Sequence, residues 1–227
     1  MLEVALTKKF MSLIDIKIMD FVGKYGLDSG NNIIDWLKQL MIDKNINPDI
    51  TLSEFYIKTN INLHIITTNL NKYTEFDFNY IVTPDVKVID AIRMSISIPL
   101  VFTYKKYLGD IHVDGCLINN YPIEMIKNKK NLNNVLGFKL VTDNQDNIHN
   151  IHNIHNIHNI QSYVYNIFNC LNIQKEKYTT GLKKYNKCTV CINTKNLNSG
   201  LNFNLKANER YQLIQNGYDA LDKFIKC

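Results

Sequence analysis

The chain has 227 residues, of which 45% are hydrophobic and 21% charged. That suits one large or two small domains with a substantial core, and it excludes wholesale disorder. The net charge of +5 comes from 26 basic and 21 acidic residues scattered along the chain, a mild bias with no basic and aromatic stripe of the kind that binds nucleic acid. No apolar run reaches the roughly 18 residues of a spanning helix. Lys8, Lys9, Asp15 and Lys17 interrupt the N-terminal apolar stretch, which excludes a secretory signal. The expected location is therefore the cytoplasm or the periphery of a membrane.

In chain order, helical spacing of Leu6, Phe10, Leu13 and Ile14 predicts a helix from Leu2 to about Phe21. Ser29 is placed to cap a second helix over Asn32 to Met41. Thr51-Leu-Ser-Glu54 is a capping-box pattern that opens a short third helix. Asn62 to Asn69 and Glu75 to Tyr80 read as strands, and His64 and His112 are expected as hydrogen-bonded histidines on or beside apolar strands. Pro84-Asp85 starts a helix over about Val86 to Ser97, which Pro99 ends. Ile111 to Val113 is a short strand that runs into Asp114-Gly115, and Asn134 to Val141 is a further buried strand. Strands alternating with helices predict a layered α/β fold with a mostly parallel sheet.

Residues 147–160 repeat Asn-Ile-His with a period of three, which fits neither strand nor helix and reads as an insertion in a tolerant loop. Beyond it, Ser162 to Ile173 is predicted helical, Cys188 to Asn193 a strand, and Ala207 to Ile225 a terminal amphipathic helix with Tyr211, Leu213, Ile214, Tyr218, Leu221 and Phe224 on its apolar side. The domain plan is 1–146, the 147–160 insertion, and a helix-strand-helix over 161–227 that completes the domain. The five cysteines are odd in number and scattered, so no disulfide framework is expected. Cys188 and Cys191 lie three apart on a strand, face opposite ways and cannot share one metal ion.

The chemistry is carried by two stretches. One is Val88 to Phe102, with Arg93, Ser95, Ser97 and Pro99; the other is Ile111 to Pro122, with Asp114, Gly115, Cys116, Asn119, Asn120 and Pro122. Asp-Gly is a common turn pair. Here the Asp follows an apolar strand end, where α/β folds gather catalytic groups. Gly115 is expected to supply an unusual backbone angle, Asn119 and Asn120 to fix the loop by side-chain to backbone bonds, and Pro122 to stiffen its exit.

Together these stretches resemble the patatin-like phospholipase family. Ala91, Arg93, Ser95, Ser97, Ile98 and Pro99 match its Ala-x-Arg-x-Ser-x-Ser-Ile-Pro pattern, and Asp114, Gly115, Asn119, Asn120 and Pro122 match its Asp-Gly-Gly/Ala pattern with the later Asn-Asn-x-Pro. Lys24 to Gly30, Trp36-Leu37, Thr51 to Phe55 and Thr67 to Leu70 resemble the family in the same order. The resemblance implies a three-layer α/β/α fold and hydrolysis of a lipid acyl ester by a Ser-Asp dyad, with no metal or organic cofactor. Asp114 would be the general base, and a lipid ester or a membrane surface the partner. The family's serine sits on a Gly-x-Ser-x-Gly elbow after a glycine-rich oxyanion loop. Neither motif occurs in these residues, and Cys116 stands where the family has Gly or Ala. The sheet is therefore expected to be truncated, with the nucleophile part absent. Three states follow: a piece of a hydrolase inactive alone, a catalytically dead remnant that binds lipid or another partner, or half of a split enzyme whose serine comes from a separate chain.

Overall fold

Local signals in the sequence place most helices within a residue or two of expectation. The structure, a computed structural model, describes residues 10–126, 132–141, 185–194 and 204–226. Two units are distinguished: Ser12–Asn120, and Met1–Met11 with Tyr121–Cys227. The expected boundaries around the 147–160 repeat, the repeat itself and the helix at Ser162 to Ile173 lie outside the described residues.

The expected N-terminal helix is divided. Phe10–Leu13 forms a 3-10 turn, and helix α1 spans Ile18–Lys24. Between them the chain is extended, because strand β1 (Gly26–Asp28) claims its donors. Lys17 N–H reaches Leu27 O at 2.6 Å. Asp15 N–H donates to the carboxylate of Asp28, which is buried and must be satisfied. Helix α2 follows at Asn31–Asp43 with Gly30, not Ser29, at its N-cap. Helix α3, Leu52–Thr59, opens with the expected capping box: Thr51 Oγ1 accepts Glu54 N–H at 3.2 Å, and the Glu54 carboxylate accepts Thr51 N–H at 2.9 Å.

Strands β2 (Ile65–Asn69) and β3 (Thr74–Phe78) precede helix α4 (Val88–Ser95), which is followed by β4 (Leu100–Phe102), β5 (Lys105–Tyr107) and β6 (Asp110–Asp114). The apolar faces of α3 and α4 meet the sheet in a core of Ile50, Leu52, Ile65, Phe78, Val88, Ala91 and Met94. Leu52 N–H to Val86 O at 2.9 Å and Val88 N–H to Ile50 O at 3.0 Å lock the two helix starts together.

The α/β class stands, but strand direction differs from the expected parallel arrangement. β1 pairs with β4 in parallel, whereas the four-stranded sheet, in the order β3-β2-β6-β5, is antiparallel throughout. The connections explain it. Four residues, 70–73, join β2 to β3, and two residues, 108–109, join β5 to β6. Turns that short link antiparallel neighbours, while a parallel pair needs a crossover.

In the second unit, β7 (Gly137–Val141) and β8 (Thr189–Asn193) pair in parallel. β7 is shorter than expected, because Leu132–Asn134 forms a 3-10 turn, and it is not buried: Phe138 and Leu140 are exposed. Cys188 is buried and Cys191 exposed, so the two thiols face different surroundings. Helix α5 covers Ala207–Ile225 as expected, and Asn216 Nδ2 ties it to Asn193 O at 2.9 Å. Tyr211 and Tyr218, expected on its apolar side, are exposed.

Candidate functional site

The two motif stretches meet at the C-terminal end of β6. Strand β6 pairs with β2 so that Thr67 lies beside Asp114. Asp114 is held through its backbone from two sides. Its N–H donates to Ser97 O at 3.0 Å, and its carbonyl accepts the Thr68 hydroxyl at 3.0 Å. Its carboxylate Oδ1 accepts Cys116 N–H at 2.8 Å, which folds Gly115–Leu117 into a 3-10 turn. Burial pushes the Asp114 carboxyl above the usual range, and the Cys116 N–H offsets that in part. Burial, and then the adjacent carboxylate, push the Cys116 thiol well above its ordinary value. An acid held ready to accept a proton, beside a thiol kept neutral, is the electrostatic character of this end of the strand.

Gly115 acts through space. A Cβ there would sit 2.5 Å from Ile66 O. The residue lets the loop lie directly against β2, and the expected unusual backbone angle is not found, since Gly115 is absent from the positive-φ positions. The same Ile66 carbonyl accepts the Ser95 hydroxyl at 2.7 Å. One carbonyl thus joins the helix motif to the Asp-Gly motif.

Arg93 is the buried hub of the helix motif. Nη1 donates to Ser97 Oγ at 2.6 Å. Nη2 donates to Ser29 O at 2.6 Å and to Thr103 O at 2.9 Å, and Nε also reaches Ser29 O, at 3.1 Å. Burial lowers its pKa to about 10, and the charge of Asp28 opposes the shift. Gly30, at φ 70°, is the only residue that fits under the guanidinium, since a Cβ would stand 2.7 Å from Nε. Ser97 passes the order on: its hydroxyl joins Arg93, its carbonyl Asp114. Pro99 ends the helix region, and Val101 and Phe102 N–H both fold back to Ile98 O to start β4.

The structure brings Arg93, Ser95, Ser97, Asp114, Gly115 and Cys116 together. It does not give the loop asparagines their expected role. Asn119 Nδ2 bonds the Glu75 carboxylate at 2.7 Å rather than backbone, and Asn120 is exposed. Pro122 leads into a 3-10 turn at Ile123–Ile126. His112 is buried with Nδ1 2.9 Å from Thr67 Oγ1 and its ring against Phe76 and Phe78, so it belongs to the core. His64 is exposed, not buried, and pairs with Asp77 at 2.7 Å. Among the described residues no serine hydroxyl bonds the Asp114 carboxylate. Sequence reasoning missed Thr68, Thr103, Asp28 and Glu75. Thr68 and Asp28 lay inside stretches already singled out, but nothing local marks Thr103 or Glu75.

A family model described as patatin-like phospholipase matches residues 4–127, more than half of the chain and both motifs. This chain belongs to the patatin-like phospholipase family. Among relatives, "Probable lipid hydrolase 463L" of Invertebrate iridescent virus 6 is 38% identical over 109 residues, covering 47% of this patatin-like chain and 38% of that protein. "Uncharacterized protein R571" of Acanthamoeba polyphaga mimivirus is 25% identical over 203 residues, covering 89% of this chain and 66% of that one. The patatin-like chain therefore aligns with less than two thirds of either relative. VipD from Legionella pneumophila superposes with a TM-score of 0.49 at 16% identity, covering 99% of this chain and 45% of VipD.

Proposed function

We propose that this patatin-like chain carries the base side of a lipid acyl ester hydrolase, with Asp114 as the general base for a serine nucleophile. The observation that carries the reading is the setting of Asp114: fixed at a strand end by Ser97, Thr68 and Cys116, with its carboxyl pKa raised by burial. A fixed carboxylate with a raised pKa is suited to take the proton of an attacking hydroxyl. The substrate class is a fatty acyl ester of a phospholipid or glycerolipid, reached at a membrane surface. No Gly-x-Ser-x-Gly occurs in the 227 residues. Loss of such a nucleophile lowers turnover about a millionfold. The chain by itself is therefore inactive, and the serine is supplied by a segment outside this sequence, joined to it or docked as a separate chain.

The test is a fluorogenic short-chain ester assay. The purified chain is expected to give no turnover above buffer. Co-expression with a patatin-like segment that carries a Gly-x-Ser-x-Gly motif is expected to restore turnover, and Asp114→Asn to abolish it. Turnover by the chain alone that survives Asp114→Asn would sink the assignment. No turnover in any combination would favour the second reading, a catalytically dead lipid-binding module, which the missing serine motif also supports.

A further inference from the structure

The opposite end of the four-stranded sheet carries a feature that hydrolysis does not explain. Two hairpin turns lie side by side there: residues 70–73 between β2 and β3, and residues 108–109 between β5 and β6. Backbone and side-chain bonds clip them together. Leu70 N–H donates to Ile111 O at 2.9 Å, and Ile111 N–H donates to Asn71 Oδ1 at 2.7 Å. Asp110 accepts Asn69 Nδ2 and Lys72 Nζ, each at 2.8 Å. The paired tips form one fixed unit.

Tyr73 and Leu108 crown the tips, each 86% exposed. Both have positive φ, 56° and 49°, where a large side chain is strained. Leu108-Gly109, with positive φ at both residues, is the loop geometry for which Asn-Gly is the low-strain pair. Asparagine makes up about one residue in seven here, and it fills the positive-φ positions 45 and 60. Leucine and tyrosine are not low-strain choices at such angles, which Tyr25 and Leu100 also adopt. Packing does not ask for them either: Tyr73 makes no hydrogen bond, ion pair or ring contact among the described residues. Lys105 and Lys106, exposed on β5 just before Leu108, form no ion pair among the described residues.

Apolar side chains on a rigid end, with Lys106 beside them and Lys105, whose charge Asp90 partly balances, further back on β5, match the chemistry of an anionic bilayer. Leucine and tyrosine enter the boundary between headgroups and acyl chains, and lysine ammonium groups meet the anionic headgroups. We propose that the paired hairpin tips, Tyr73 and Leu108 flanked by Lys105 and Lys106, dock this chain onto anionic phospholipid bilayers. Asp114 lies at the far end of β6, about 13 Å from Asp110 by strand rise. The proposal goes beyond the hydrolase reading and does not depend on it.

Co-sedimentation of the full chain with phosphatidylcholine vesicles, with and without phosphatidylserine, tests this. The wild-type chain is expected to pellet with the phosphatidylserine vesicles and to be released by salt. Tyr73→Gly with Leu108→Gly is expected to weaken binding about tenfold or more. Its thermal midpoint is expected to stay at or above wild type, because glycine relieves both positive-φ positions. Tyr73→Asn with Leu108→Asn repeats the measurement should the glycine pair melt lower. Lys105→Gln with Lys106→Gln is expected to remove the preference for phosphatidylserine. The proposal is overturned if wild type stays in the supernatant, if both tip variants pellet like wild type, or if binding is the same without phosphatidylserine.

Discussion

Strand β6 begins and ends with aspartate, and the two are treated in opposite ways. Asp110, at the hairpin end, accepts Lys72 and Asn69 side chains near solvent, and these partners hold its carboxyl below the usual range. Asp114, at the motif end, is half-buried and receives a backbone N–H from Cys116, and its partial burial pushes its carboxyl up. The same residue type on one five-residue strand becomes a clip at one end and a candidate proton acceptor at the other. The difference lies in the partners. A carboxylate whose ion pair sits in water is a structural acid, whereas one enclosed by backbone and neutral groups keeps a use for its proton.

The largest expected effect comes from dismantling the support of the motif end. Arg93→Met removes the hub that serves Ser97, Ser29 and Thr103. It leaves several buried acceptors without donors, and the expected cost is about 3 kcal/mol or more in chemical denaturation. Arg93→Lys is not expected to rescue, since one ammonium cannot span the planar fork. If the methionine variant unfolds with an unchanged midpoint, the motif end is not organised by Arg93. Next in size is Gly115→Ala. Its new methyl meets Ile66 O at 2.5 Å, a backbone atom that cannot step aside. A loss of about 1–3 kcal/mol is expected, together with displacement of the Asp114 loop that should appear as amide shifts at Cys116 and Thr68. An alanine variant with wild-type stability and spectra would show that the close approach to β2 is not needed.

The two ends were not equally legible in the sequence. The motif end was named almost residue by residue, because Arg93, Ser95, Ser97, Asp114 and Gly115 form spaced patterns within short stretches. The helix starts were legible for the same reason: the Thr51–Glu54 box is a contact over three residues. What the sequence hid is long-range. Asn119 finds Glu75 across 44 residues, and Arg93 finds Ser29 across 64. The break in the N-terminal helix depends on Asp28, a buried carboxylate that draws the Asp15 N–H out of helical register. The antiparallel direction of the sheet follows from turn lengths that could be measured only once strand ends were known. The hairpin end offered no motif, and its exposed Tyr73 and Leu108 become conspicuous only when backbone angles are set beside exposure.

The smallest expected effect bears most directly on the contrast between the aspartates. Asp110 has a lowered folded pKa, so its ionised form stabilises the fold at neutral pH, and that stability is lost as pH falls through the folded pKa. Asp114 has a raised folded pKa, so its ionisation weakens the fold as pH rises out of the ordinary carboxylate range. Asp110→Asn is therefore expected to lower the thermal midpoint slightly at pH 7, and Asp114→Asn to raise it slightly. Both differences are expected to shrink in acid as the wild-type carboxyls take up protons, folded Asp110 last because its pKa is lowered. Thermal melts of the three proteins between pH 3 and pH 8, a range that brackets the ordinary aspartate value of about 3.9, measure both signs at once. Two shifts of the same sign would mean that the ends of β6 are not electrostatic opposites, and the case for Asp114 as a proton acceptor would lose its physical basis.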